Sequence, residues 1–406
     1  MIGTNKLEEL LKDINKSIPF YKKLKVEEFN NLPVINKNTI KTKYDEFISD
    51  AYIDKDEILR HINNKFEISK YIIEKRINPN VILEWTSGSS GIPFKCVKSV
   101  KERKQIALSL WRTRMNVDHK ITAKKFFPLI HTGLSTCDYN IRDYSKSNIE
   151  SLYTAIKNQQ IVCLHATPNL LKRHILLSGI DIEFFKGIVP YIEVTGNYLS
   201  DEDRKLLEQT FDAKVLNLYG LIEVWGIAYA TSNDYMKQMQ GNVYIELINE
   251  KGEIIKNYNE KGRVIVTGLN QRIMPFIRYD TGDYAMYIYR EKEQPYSCIK
   301  LCRDREVNKI LINNQFKSGT QFAKEVIRKI FWKQDFPDIK YICLVQEKDV
   351  FRLVLNLINN QEDFENISYE IIVKILQKEV IIKYSYVSEE DYNKINPKGY
   401  LFVRRG

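Results

Sequence analysis

Residues 84–95 read EWTSGSSGIPFK. Every residue from Thr86 to Gly91 is a glycine or carries a hydroxyl, between the apolar run Val81-Ile82-Leu83 and Pro93. Consecutive glycines and short hydroxyl residues let backbone N–H groups converge on one concavity, with the hydroxyls as further donors, which suits phosphate oxygens. The spacing is neither G-x-x-x-x-G-K-[ST] nor G-x-G-x-x-G, so it supports neither a Walker-type NTPase nor a Rossmann dinucleotide site. Taken alone, the run reads equally as a phosphate nest or a surface turn. Three more stretches carry polar groups. LYGLIEVWG (218–226) brings Tyr219, Gly220 and the carboxylate of Glu223; MPFIRYDTGDY (274–284) sets Asp283 just after a Thr-Gly turn; CRDREVNKILINNQ (302–315) begins with the cation Arg303. Their plainer readings are a core tyrosine, a turn-forming aspartate and a surface arginine. With five histidines and no G-x-S-x-G elbow, no Ser/His/Asp triad is apparent.

These groups need a scaffold. Residues 5–75 read as amphipathic helices broken at Pro19 and Pro33. Residues 81–98 read as strand, loop, strand, because FKCVKSV alternates, and KERKQIALSLWRTRM is helical. From 125 to 230, apolar runs (FFPLI, IVCL, YIEV, KVLNLY) alternate with helical segments (PNLLKRHILLS, DEDRKLLEQTF), which argues for an α/β layer. Residues 243–290 turn to β structure with VYIELIN, GRVIVTGL and PFIRYDTGDYAMYIYR. The remainder mixes YICLV and FRLVLNLI with FAKEVIRKIF and SYEIIVKILQKEV, as a small α+β domain would. The expected division is 1–302 and 303–406.

The chain has 406 residues, long enough for two or three domains, and 44% hydrophobic content supplies a core. No run approaches the ~18 apolar residues of a membrane span. The N-terminal residues MIGTNKLEELLKDINKS lack an apolar signal region. Six cysteines are too few for a disulfide framework. A cytoplasmic protein is expected. The formal net charge of +10 suits an anionic cofactor or an acidic partner. The Lys/Arg residues are dispersed, so nucleic acid is not the expected partner, nor is a membrane.

In this order, the four stretches resemble the adenylate-forming superfamily of acyl-CoA synthetases and adenylation domains. TSGSSGIPF, YGLIE, PFIRYDTGD and the early IPFYKKL…LPVINKNTI resemble its phenylacetate–CoA ligase branch and capsule-associated relatives. The resemblance spans nearly the whole chain. It implies a large N-terminal domain of α/β layers plus a β subdomain, followed by a small mobile C-terminal α+β lid. It also implies a reaction: a carboxylic acid joins ATP to give acyl-AMP and pyrophosphate, and the acyl group then passes to a thiol. Activation of this kind rests on positioning and electrostatics. By resemblance, Thr86, Ser87, Gly88, Ser89, Ser90 and Gly91 cradle the β- and γ-phosphates. Tyr219, beside Gly220, stacks on adenine, Glu223 holds Mg²⁺, Asp283 accepts both ribose hydroxyls, and Arg303 also reaches the ribose. Lys398, in INPKGYLFVRRG, is the implied mobile catalytic lysine, although Pro397 stands where a glycine is usual. The acid pocket is implied to include His131, with Thr132 and Ser135 nearby, together with Gly196, Trp225 and Gly226.

The chain departs from this pattern in places. Asn197 stands where an acid is frequent, and the boundary motif is reduced to Cys302-Arg303, with Asp304, Arg305 and Glu306 as hinge candidates and Asn314 in place of a glycine. Cys298 and Cys302 lack the partners of a four-ligand zinc site, so zinc is not expected. Lys95 stands one residue beyond the position usual for a phosphate lysine, which Phe94 occupies, and is expected to be dispensable or absent from the site. The resemblance leaves the acceptor open between coenzyme A and a carrier-protein phosphopantetheine. The chain's shortness favours carrier loading, as in siderophore or other secondary-metabolite biosynthesis, with a small, aromatic acid as substrate. Two other readings stay open: an amide-forming ligase that passes the adenylate to an amine, and a non-catalytic basic nucleotide-binding protein.

Overall fold

The computed structural model describes residues 2–52, 54–64, 74–85, 94–129, 144–302, 309–312, 315–334, 339, 342–347, 349–356, 359–388, 391–392 and 402–405. They form two compact units, one carrying the described residues up to Cys302 and the other those beyond it.

The first unit opens with helices α1 (Ile2–Ser17), α2 (Pro19–Leu24), α3 (Lys37–Lys41), α4 (Tyr44–Phe47) and α5 (Lys55–Asn63). Pro19 starts α2, where its missing N–H is no loss. Strands β1 (Glu74–Asn78), β2 (Val81–Trp85) and β3 (Lys95–Ser99) make a small antiparallel sheet. Helix α6 (Val100–Val117) follows directly, because Ser99 and Glu102 form a reciprocal capping box that satisfies two N–H groups at its start.

The principal sheet contains β4 (Phe126–Pro128), β5 (Cys163–Ala166), β6 (Tyr191–Thr195), β7 (Lys214–Leu221), β8 (Trp225–Ala230), β9 (Met236–Gln238), β10 (Val243–Ile248), β11 (Lys261–Gly268), β12 (Tyr279–Tyr287) and β13 (Cys298–Leu301). Its order is β10-β11-β12-β13-β9-β8-β7-β6-β5-β4. Strands β4 to β7 are parallel, joined through α7 (Lys146–Asn158), α8 (Pro168–Leu177) and α9 (Asp201–Phe211). From β7 onward the pairing is antiparallel. The α/β layer and the β stretch are therefore one continuous ten-stranded sheet. Pro128 is tolerated because β4 lies at the sheet's edge. One face buries Leu164, Ile192 and Val215 against Leu152 and Ile156 of α7 and Leu207 and Phe211 of α9. Leu110 of α6 packs with Cys163, Leu216, Leu218 and Tyr229. In the second core, α1 and the helices after it pack with Val264, Val266 and Tyr279.

In the second unit, β14 (Lys309–Ile312) and β15 (Gln315–Ser318) form a hairpin before α10 (Gly319–Lys333). Strands β16 (Ile342–Glu347) and β17 (Val350–Leu355), helix α11 (Gln361–Leu376), and strands β18 (Ile381–Tyr386) and β19 (Phe402–Arg405) follow, with sheet order β18-β17-β16-β19. Leu344, Leu353 and Phe402 pack there with Val326, Ile330 and Ile372. No described helix is long and apolar enough to cross a membrane.

Candidate active site

The turn between β7 and β8 carries Glu223. A Cβ on Gly220 would lie 2.4 Å from the Trp225 carbonyl oxygen, so only glycine lets the two arms of this turn approach so closely. Side chains hold the turn's carbonyls. Lys98 Nζ donates to Ile222 O at 2.7 Å, Gln271 Nε2 to Glu223 O at 2.6 Å, and Asn242 Nδ2 to Val224 O at 2.8 Å and Gly226 O at 2.6 Å. Lys98, Gln271 and Asn242 are all buried. None was singled out as a site residue from the sequence.

The Glu223 side chain is 1% exposed. Its Oε1 accepts the Tyr279 hydroxyl at 2.8 Å and lies 3.2 Å from Lys37 Nζ. Burial alone would raise this carboxyl, but the Lys37 charge, a backbone N–H bond and the Tyr279 hydroxyl outweigh it and hold it below the usual range. It is therefore an anion at neutral pH. Burial and the Glu223 charge push the Tyr279 phenol well above its ordinary value, so it remains a donor.

Lys37 reaches Glu223 because Arg278 anchors the segment before it. Arg278 Nη1 donates to Asn30 O at 2.9 Å and Leu32 O at 2.6 Å, and its Nε meets Glu246 at 3.2 Å. Ile35 N donates to Arg278 O at 3.1 Å, and Asp280 N to Ile35 O at 2.8 Å, which sets the start of α3 beside β12. Lys41 lies one turn further along α3, and burial together with the Lys37 charge lowers its ammonium. Two lysines at this spacing repel each other, so the pair suits an anion.

Tyr219 and Asp283 meet across the same sheet. The Tyr219 hydroxyl donates to Asp283 Oδ2 at 2.8 Å and lies 3.3 Å from Thr281 Oγ1. Both residues are 7% exposed. The pairing of β11 with β12 slips between Arg263 and Ile265, and Gly282 in this bulge has φ 70°. Asp283 N closes the bend on Thr281 Oγ1 at 3.1 Å. The TGD run is thus a bulge that sets Asp283 beside Tyr219.

The remaining candidates divide. Gly196 follows β6 at φ 80°, close to the carboxyl ends of the parallel strands, where α/β sheets bind ligands. Trp225 donates its indole N–H to Glu84 Oε2 at 3.1 Å, and the Arg103 guanidinium lies 5.1 Å from its ring centre. Gly226 makes room for core packing, since a Cβ there would sit 2.5 Å from Met239 Sδ. Thr86 to Gly91, His131, Thr132, Ser135, Arg303 to Glu306, Asn314 and Lys398 lie outside the described residues. Cys298 is buried and Cys302 half-buried, and neither is joined in a disulfide.

Lys95 departs from its expectation in one respect. It is only 4% exposed, and its Nζ donates to His61 O at 2.8 Å, Ile62 O at 2.7 Å and Asn64 O at 2.7 Å. It ties down the carbonyls at the end of α5, so it is committed structurally rather than dispensable.

A second buried charge cluster lies under α6. Arg114 makes a bidentate pair with Glu193 at 2.8 and 2.6 Å, Tyr229 donates to Glu193 at 2.6 Å, and His165 Nδ1 lies 2.8 Å away. Burial would raise the Glu193 carboxyl, but the Arg114 charge and hydrogen bonds carry it far below the usual range. This cluster fastens α6 to β6 and β8.

Solved structures share this architecture. A 2-hydroxyisobutyryl-CoA ligase in the postadenylation state aligns over 94% of this chain and 84% of its own, with TM-score 0.57 and 13% identity. The same ligase in its thioesterification state, with 2-HIB-AMP and CoA, aligns over 99% and 88%, with TM-score 0.55 and 12% identity. The chain has the adenylate-forming ligase fold. No protein-family model and no curated protein sequence matches it. The expected fold class, α/β layers with a β portion and a small α+β unit, is thus found, and the resemblance of the four stretches is matched by the architecture. In this ligase fold the sheet places Glu223 and Tyr219 on one strand and turn, with Tyr279 and Asp283 on another.

Proposed function

We propose that the chain is an ATP-dependent carboxylic acid ligase that forms an acyl-adenylate and passes the acyl group to a thiol. The observation that carries this reading is the double link between β7–β8 and β12, Tyr219 to Asp283 and Glu223 to Tyr279, within the ligase fold. Asp283 and Tyr219 would take the ribose and the adenine. Lys37 and Lys41 join the reading as cations for the triphosphate. Thr86 to Gly91, Arg303 and Lys398 remain in it on their sequence motifs, as does the division into an ATP- and acid-binding unit ending at Cys302 and a lid after it. Gly196, His131, Trp225 and Gly226 stay as the acid-side residues.

The donor set fits magnesium of one kind. Glu223 offers a single buried, ionised carboxylate, and no group of three potential metal-ligating side chains occurs among the described residues. A lone carboxylate suits Mg²⁺ that arrives on substrate phosphates, not a protein-built cage. Bound there, the ion would neutralise charge on the triphosphate. Glu223 would hold it, once Lys37 gives up the same oxygen.

The acid is proposed to be small and aromatic. Coenzyme A as acceptor is supported by the CoA complex of the 2-hydroxyisobutyryl-CoA ligase. The +10 charge suits coenzyme A and an acidic carrier protein alike. ATP–pyrophosphate exchange over aryl and aliphatic acids tests the first half, and exchange with no acid would overturn the reading. Mass analysis of added coenzyme A, carrier and free amine then identifies the acceptor. Transfer to amine alone would make the enzyme an amide-forming ligase.

A further inference from the structure

Glu84 and Lys98 form a charge pair outside every residue assigned above to ATP or acid. They are 3% and 0% exposed. Removing two charges from water is costly, and well-packed apolar residues commonly serve stability as well or better. Stability alone therefore does not account for the pair. Its contacts do. Lys98 Nζ donates to Glu84 Oε2 at 2.5 Å and to Ile222 O at 2.7 Å. The same Glu84 oxygen accepts the Trp225 indole N–H at 3.1 Å, and Glu84 Oε1 faces Arg103 Nε at 3.4 Å. Strands β2 and β3 thus grip the turn on both sides of Glu223, at the residue before it and at the second residue after it. Trp225 stands at φ 60°, a conformation that a tryptophan keeps only when its surroundings hold it.

We propose that Glu84 and Lys98 are positioning residues, whose pairing holds the Glu223 turn in the one geometry that presents its carboxylate to magnesium-bound ATP. This rests on the ligase reading. Removing one partner would strand a buried charge, so the test removes both, as Glu84→Gln with Lys98→Met, in the full chain. Glu84→Met with Lys98→Met, which also removes both charges, is the second variant, in case the first does not fold. Folding is checked by circular dichroism, and binding by calorimetry with ATP plus Mg²⁺ and with ATP plus EDTA. The expected result is roughly tenfold weaker MgATP binding, within the coupling range of neighbouring residues, with binding in EDTA unchanged. In a Glu223→Gln background, the same changes should cost nothing further. Unchanged MgATP affinity in a folded variant overturns the positioning role. An equal loss in EDTA also overturns it, because the pair would then be merely structural. A wild-type chain that binds no ATP at all overturns the ligase reading, and this role with it.

Discussion

The Tyr219 hydroxyl donates to Asp283 Oδ2 at 2.8 Å, joining β7 to β12 although neither strand pairs with the other. A carboxylate has about four acceptor positions, so Asp283 can keep this bond and still receive ribose hydroxyls. The two residues should therefore respond differently. Asp283→Asn replaces one acceptor oxygen by a donor and should weaken ATP binding by about tenfold or more, as expected for losing a charge-assisted hydrogen bond. Tyr219→Phe keeps the ring and should cost only a few-fold. Calorimetric titration with ATP compares them, and equal, small losses would remove Asp283 from the ribose site.

On the ligase reading, a metal ion held by Glu223 would compete with Lys37, whose Nζ lies 3.2 Å from Oε1. Lys37→Met should thus have opposite effects on two ligands. Mn²⁺ alone, followed by electron paramagnetic resonance, should bind more tightly, because the ammonium no longer occupies Glu223 Oε1. MgATP should bind about tenfold more weakly, because a cation proposed for the triphosphate is gone. The variant also leaves the 1%-exposed Glu223 carboxylate without its cation, so a stability loss of about 3–5 kcal/mol is expected, and both affinities are read on protein shown to be folded. Both affinities moving the same way would contradict the competition.

Lys95 should matter for stability and not for binding. Lys95→Met leaves three carbonyls at the end of α5 without their charged donor. The expected cost is about 2–4 kcal/mol, read as a lower urea midpoint, with ATP affinity of the folded protein unchanged. A weaker ATP affinity at full stability would return Lys95 to the site.

The strand and helix runs between 125 and 230 were legible because their apolar periods are clean, as in DEDRKLLEQTF for α9 and KVLNLY for β7. Glu223 and Asp283 were legible because each sits in a motif whose glycine has a backbone reason, Gly220 in the tight turn and Gly282 in the bulge. The partners of these residues were not. FKCVKSV suggested alternation, yet every residue of β3 is buried, because Lys95 and Lys98 each find acceptors that only the tertiary fold supplies. Lys37 meets Glu223 through the Arg278 anchor, a contact between distant parts of the chain that no local period encodes. Likewise, the continuity of the parallel and antiparallel strands depends on β8, which follows a tight turn, and on β9, which has only three residues.

Below neutral pH, His174 should limit stability. Its ring is fully buried, and Nδ1 and the Tyr153 hydroxyl share a hydrogen bond of 2.9 Å. Burial pushes its pKa down from 6.5 to about 4. The folded chain therefore keeps His174 neutral, while the unfolded chain protonates it near 6.5. Stability from this group is complete above pH 6.5, falls as the pH drops, and is lost once the pH passes below about 4, with a total of about 3 kcal/mol. Carboxylates elsewhere also titrate toward the lower end of this window, so the difference between two proteins isolates the histidine. His174→Gln can keep a hydrogen-bonding partner for Tyr153, as donor or acceptor, but takes up no proton. Between pH 6.5 and 4 the apparent melting temperature of the wild type should fall more steeply than that of His174→Gln, and parallel curves would show that His174 is not held neutral by the fold.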